Sequence, residues 1–223
     1  MTSSLAVTRN LCKRIGHGGA SALAPANTLA SFDAAHELGV DMVEFDVRSC
    51  GGELVLAHTM LHARAGRGVR LGEALAHLSS RRYGELGLNV DVKHVGCEAA
   101  LLADLRRFGL LERTLISSQV PAVLDRSRAL EPRARVGISI GGRIARLSRR
   151  WRDWRGAVLA GLAARRWDAL MAQHRLVDTS LLADVAARGG LLYAWTVNER
   201  AGIDRLRTLG VHGITTAGPR LFG

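Results

Sequence analysis

Apolar residues along the chain fall into short runs separated by stretches in which they recur at helical spacing, the alternation expected of strand and helix in turn. The runs at 12–17, 41–47, 88–93, 114–117, 135–139, 167–171, 191–197 and 213–216 predict eight strands. Between them, Asn27-Thr28 opens a helix that Gly39 stops, 99–108 stops at Gly109, 178–188 at Gly189-Gly190 and 199–209 at Gly210, and a short helix is expected at 71–78. One further run, 53–57, follows the second strand across Gly51-Gly52, and a glycine pair between two apolar runs is a hairpin signal. The expectation is an α/β chain folded as a single (β/α)8 TIM barrel with a short β-hairpin after the second strand, with a doubly wound sheet as the alternative.

Composition narrows this further. The 223 residues are 48% hydrophobic and 23% charged, a globular balance that excludes disordered and collagen-like chains. A chain of this length buries roughly 70% of its unfolded surface, so it needs no disulfide or structural metal to fold. Residues 1–10 are expected to form a tail and 11–223 one domain. The longest apolar run, 156–164, is far short of the ~20 residues that span a bilayer, and residues 1–14 lack the apolar core of a signal peptide. Cys12, Cys50 and Cys97 have no CxxC spacing and read as reduced thiols in a cytoplasmic protein. The net charge of +11 is carried almost wholly by arginine, since Lys13 and Lys93 are the only lysines. That charge either steers anionic ligands or is a general arginine bias of the surface.

A barrel carries its chemistry at the C-terminal ends of its strands. The first run ends in His17 followed by Gly18-Gly19, an imidazole on a loop that lets a ligand approach closely, or else a plain turn histidine. In Glu44-Phe45-Asp46 the strand period puts both carboxylates on one face and Phe45 on the other. Burying two unpaired carboxylates costs several kcal/mol, which a divalent cation such as Mg²⁺ or Ca²⁺ removes; the alternative is that they reach water or arginines. A real hairpin returns His58 to their neighbourhood. Asp91 and Lys93 again share a face, offering a third carboxylate and an ammonium for a phosphate oxygen, or simply an ion pair. Trp195 either walls a pocket or packs.

Taken in order, His17-Gly18-Gly19-Ala20, Pro25-Ala26-Asn27-Thr28, Glu44-Phe45-Asp46-Val47, His58-Thr59, Asp91-Val92-Lys93, Trp195-Thr196-Val197-Asn198 and 213–219 resemble the successive motifs of the glycerophosphodiester phosphodiesterase family from residue 14 to the end. The resemblance implies a barrel that hydrolyses phosphodiesters such as glycerophosphocholine. It implies a divalent metal at Glu44, Asp46 and Asp91, with His17 and His58 as the acid/base pair. Lys93 and Trp195 are then expected to bind substrate.

Four positions depart from the pattern: Gly18 stands for arginine, Ala26 for glutamate, Thr59 for aspartate and Asp91 for glutamate. A missing charged hydrogen bond is worth about 1.5–3 kcal/mol, so a weak or inactive paralogue that only binds phosphodiesters or lipid head groups is the rival reading. The segment 143–167 interleaves Arg143, Arg146, Arg149, Arg150, Arg152 and Arg155 with Trp151 and Trp154. It reads as an outer barrel helix with a solvated basic face or, alternatively, as a peripheral contact with an anionic membrane that would suit a lysophospholipase D. No nucleic-acid motif is present.

Overall fold

The computed structural model describes residues 12–66, 68–142 and 148–223. The strands are β1 (Lys13–His17), β2 (Met42–Cys50), β3 (Glu53–Leu56), β4 (Gly87–Val92), β5 (Thr114–Ser118), β6 (Arg135–Ile140), β7 (Ala169–Gln173), β8 (Leu191–Trp195) and β9 (Gly213–Thr216). All but β3 run parallel in the order β1-β9-β8-β7-β6-β5-β4-β2, and pairing of β1 with β2 closes the barrel. β3 hangs outside, antiparallel to the end of β2, with Val47 opposite Leu56 and Cys50 opposite Glu53. Gly51 and Gly52 turn the hairpin at φ 60° and 85°, the left-handed pair that a two-residue turn of this hand requires.

The helices are α1 (Leu29–Glu37), α2 (Met60–Arg64), α3 (Leu71–Leu78), α4 (Glu98–Arg107), α5 (Pro121–Leu130), α6 (Arg149–Ala163), α7 (Thr179–Ala186) and α8 (Arg200–Leu209). Their ends follow local chemistry. Thr28 caps α1 in a reciprocal box with Ser31, Pro121 opens α5, and Gly210 ends α8 in the left-handed conformation. Among the described residues no helix is long and apolar enough to cross a membrane.

The sheet separates two interiors by parity. Val43, Phe45 and Val47 of β2 and Leu88, Val90 and Val92 of β4 point outward into the core shared with the helices, where Phe45 meets Phe32 at 5.4 Å between ring centres. The alternate positions point into the barrel. Ile15, Met42, Leu115, Ala169, Met171 and Tyr193 form an apolar plug there. One layer higher, toward the C-terminal end, the inward positions become Glu44, Asp46, Asn89 and Ser117, all buried and polar. The apolar plug closes the lower barrel, so ligand access is restricted to the upper mouth.

The eight parallel strands and the hairpin lie where the sequence predicts them, with shifts at the ends. The sixth parallel strand, expected over 167–171, is displaced by two residues to Ala169–Gln173, because Trp167 belongs to the packing of α6: a Cβ on Gly161 would lie 2.4 Å from its ring. The seventh, β8, ends at Trp195, before Val197. Residues 1–10 and, in the arginine-rich segment, Arg143 and Arg146 lie outside the described residues. In α6, Trp151 is only 4% exposed and Trp154 packs against the core, so the exposed face presents Arg149, Arg150 and Arg152 without the aromatic residues between them.

Two glycines separate strain from crowding. Gly19 has φ 81°, and a Cβ there would lie 2.4 Å from Ser31 Oγ, whereas Gly51 has φ 60° with open space around it. Gly19→Ala is expected to cost more than about 2 kcal/mol and Gly51→Ala about 1 kcal/mol, read from the midpoints of urea unfolding. Equal midpoints for the two variants would contradict the packing described between the β1 loop and α1.

Candidate active site

Register brings the site together. In the parallel ladder His17 sits beside Glu44, Glu44 beside Asn89 and Asp46 beside Asp91, so the ends of β1, β2 and β4 present their inward side chains at one height. The hairpin then returns the chain, and Ala57 N–H donates to the Asp46 carbonyl at 3.1 Å, which sets His58 over the carboxylates. His58 Nδ1 lies 3.2 Å from Asp46 Oδ2 and His17 Nε2 lies 3.9 Å from Glu44 Oε2. Both imidazoles, the three carboxylates, Lys93 and Trp195 line one cavity of about 480 Å³, its open mouth included.

The carboxylates are the electrostatic centre. One oxygen from each of Glu44, Asp46 and Asp91 falls within 4.8 Å of the others. Lys93 Nζ lies 2.5 Å from Asp46 Oδ1 and is in direct contact with Asp91 Oδ2. The Asp46 contact is an ion pair without hydrogen-bond alignment, and Asp91 Oδ1 is buried with no hydrogen-bond partner.

Burial, then repulsion from Asp46 and Asp91, pushes Glu44 well above the ordinary carboxylate range, against the pull of Lys93 and of the Gly18 N–H donated to Oε2 at 3.0 Å. Burial also raises Asp91. Burial acts the same way on Asp46, but His58, Lys93 and Asn27 outweigh it and hold Asp46 well below the usual value. Desolvation would lower Lys93, yet Asp91 and Asp46 together raise it. The two histidines move apart: burial lowers His17, while the hydrogen bond with Asp46 raises His58.

The donor set fits a divalent cation. Three carboxylates against one ammonium leave a net charge of −2 when all are ionised, and hard oxygen ligands suit Mg²⁺ or Ca²⁺. Burial of Glu44 and Asp91 and the unpartnered Asp91 Oδ1 leave acceptor oxygens that a cation there would satisfy.

Asn27 is a residue of the site that the sequence reading missed. It is buried at φ 62°, donates from Nδ2 to Asp46 Oδ2 at 3.0 Å and accepts the Asp46 N–H on Oδ1 at 3.0 Å. Sequence reasoning took Asn27-Thr28 as one cap signal. Thr28 does the capping, and Asn27, tolerant of the left-handed conformation, fixes the Asp46 carboxylate instead.

Trp195, at the end of β8, lines the same cavity, its Nε1 donating to the Met171 carbonyl at 2.9 Å. Its ring lies flat enough on the backbone that a Cβ on Gly141 would meet it at 2.5 Å.

The departures also acquire places. Gly18 has φ 55°, and a Cβ there would lie 2.9 Å from Ala26 Cβ, so the missing arginine and the missing glutamate are spatial neighbours. Thr59 caps α2 by accepting the His62 N–H at 3.2 Å, a role open to an aspartate as well. His36 and His77 lie outside the barrel around Tyr83.

Comparison with known proteins agrees with this geometry. Residues 17–67 and 85–221 match the model of the glycerophosphoryl diester phosphodiesterase family. A Mycobacterium tuberculosis protein named "Probable glycerophosphodiester phosphodiesterase 1" is 29% identical over 262 residues, covering 92% of this chain and 89% of its own. The glycerophosphodiester phosphodiesterase of Caldanaerobacter subterraneus is 25% identical over 240 residues, covering 92% and 93%. Among solved structures, an Oleispira antarctica phosphodiesterase in complex with the product sn-glycerol-3-phosphate superposes with a TM-score of 0.75 at 24% identity, covering 94% of both chains. The chain belongs to the glycerophosphoryl diester phosphodiesterase family.

Proposed function

We propose that this protein is a metal-dependent phosphoric diester hydrolase that releases an alcohol from a glycerophosphodiester, with Glu44, Asp46 and Asp91 holding Mg²⁺ or Ca²⁺ and with His17 and His58 exchanging protons. The observation that carries it is the meeting of three carboxylates, two buried and one partly buried, and two imidazoles in one open cavity. The sn-glycerol-3-phosphate bound by the Oleispira relative supports a small phosphodiester as substrate.

A phosphodiester is a poor electrophile because its anion repels nucleophiles. A divalent cation supplies the withdrawal of charge from a non-bridging oxygen. His17, held toward its neutral form, is suited to take the proton of the attacking hydroxyl. His58, held toward its protonated form by Asp46, is suited to give a proton to the departing alkoxide. Lys93 neutralises charge on the phosphate side of Asp46 and Asp91, Asn27 keeps Asp46 oriented, and Trp195 bounds the cavity. The free thiols of Cys12, Cys50 and Cys97 suit a cytoplasmic enzyme. The exposed Arg149, Arg150 and Arg152 of α6 add a basic face for peripheral contact with anionic membrane.

Three outcomes are expected. Purified protein should hydrolyse glycerophosphodiesters in a chelator-sensitive manner, with activity lost in His17→Ala and Glu44→Ala; wild type and variants equally inert with every divalent metal would leave a binding module. Its kcat/KM should follow a bell-shaped pH profile. The acid limb, from protonation of His17, should fall below the ordinary histidine value of about 6.5, and the alkaline limb, from deprotonation of His58, above it. A flat profile from pH 5 to 9 would remove the paired roles. Finally, Mg²⁺ or Ca²⁺ at about 100 times its dissociation constant should stabilise the fold by roughly 2.7 kcal/mol, seen as a rise in Tm. The rise should vanish in Glu44→Gln and shrink in Asn27→Ala, and an identical rise in all three proteins would place the ion elsewhere.

A further inference from the structure

Arg48 follows the catalytic face of β2 by two residues beyond Asp46 and lies at the base of the hairpin, opposite Val55. Its Nε and Nη2 donate to the His58 carbonyl at 3.1 and 3.0 Å. A guanidinium carries five N–H groups, so most of its donors remain unused. No carboxylate pairs with it among the described residues, whereas Arg14, Arg106, Arg128, Arg155 and Arg166 each have one.

The head of Arg48 borders a second open cavity of about 600 Å³, bounded also by His58, Asp91, Lys93, Gln119 and Val120. His58, Asp91, Lys93 and Gln119 line the central cavity as well, so the two spaces share a wall at the reacting groups. Besides the paired Asp91 and Lys93, this side space offers the Arg48 guanidinium and an amide at Gln119, and its one ring is the His58 imidazole, already bonded to Asp46. A quaternary ammonium is recognised by aromatic faces, while a carboxylate is recognised by the planar donors of arginine. The aromatic wall, Trp195, lines the central cavity alone.

We propose that this side cavity is the subsite for one ester arm of the substrate, and that Arg48 selects an alcohol carrying a carboxylate, of the serine type, over one carrying a trimethylammonium group. The assignment rests on the phosphodiesterase reading above. It makes Arg48 a specificity residue, with two donors spent on holding the His58 backbone and the others facing the arm.

The test compares kcat/KM for glycerophosphoserine and glycerophosphocholine in the wild type and in Arg48→Gln. The wild type should favour the serine diester, and the variant should lower the serine-to-choline ratio by about ten- to a hundredfold, the value of one charge-assisted hydrogen bond. If Arg48 only positions His58 through its carbonyl, both diesters fall together and the ratio stays put, which overturns the proposal. A wild type that prefers the choline diester overturns it too. Should the wild type hydrolyse neither, the phosphodiesterase reading fails by itself, and calorimetric binding of the same two diesters decides this one. Tighter binding of the serine diester that is lost in Arg48→Gln supports the subsite, and equal binding refutes it.

Discussion

Three acidic side chains can share the top of this barrel only because positive charge is placed among them. Lys93 reaches Asp46 and Asp91 at once, and the ladder register makes that reach possible by setting Asp46 directly beside Asp91 on neighbouring parallel strands. A shift of one residue in either strand would turn its carboxylates outward into the helix-facing core and bring Phe45 or Val90 into the mouth. The apolar layer beneath, from Ile15 to Tyr193, fixes the floor on which this arrangement stands and keeps water from reaching the carboxylates from below. Burial is also what drives Glu44 and Asp91 toward their protonated forms.

Much of this could be read from the sequence because strands have period two. Glu44-Phe45-Asp46 and Asp91-Val92-Lys93 place like side chains on one face by arithmetic alone, and Gly51-Gly52 announces the hairpin that brings His58 back. What could not be read is everything that depends on which loop lies over which strand. Asn27 looks like an ordinary helix start, and only the folded chain sets it against Asp46, 19 residues away. Arg48 is one of many arginines in the sequence, and its lack of a carboxylate partner among the described residues is a fact of three dimensions. The spacing of Trp151 and Trp154 predicts the apolar stripe of an outer barrel helix with a solvated basic face, and α6 is that helix, its rings packed on the core and Arg149, Arg150 and Arg152 exposed.

The departures from the family pattern are not independent. Gly18 and Ala26 face one another, so an arginine and a glutamate restored there would share one space and could pair. In their absence the β1 loop is held by backbone instead: Gly18 N–H binds Glu44, its carbonyl accepts from Ser31 Oγ at 2.7 Å, and Asn27 N–H closes on the same carbonyl at 3.1 Å. The β1 loop is thus held without a charged side chain at position 18 or 26.

That loss changes how a bound phosphate must be neutralised. With no guanidinium at position 18, the positive groups within the central cavity are Lys93 and, when protonated, His58. Lys93 is already engaged by two carboxylates, and His58 by one, so neither has its full charge to spare for substrate. Positive charge supplied at Glu44, Asp46 and Asp91 would serve twice. It would satisfy the acids that now hold Lys93, and in doing so it would release the ammonium toward the phosphate. In the proposed mechanism, a chain with glycine at position 18 would therefore depend more heavily on a cation at the three carboxylates than one with arginine there.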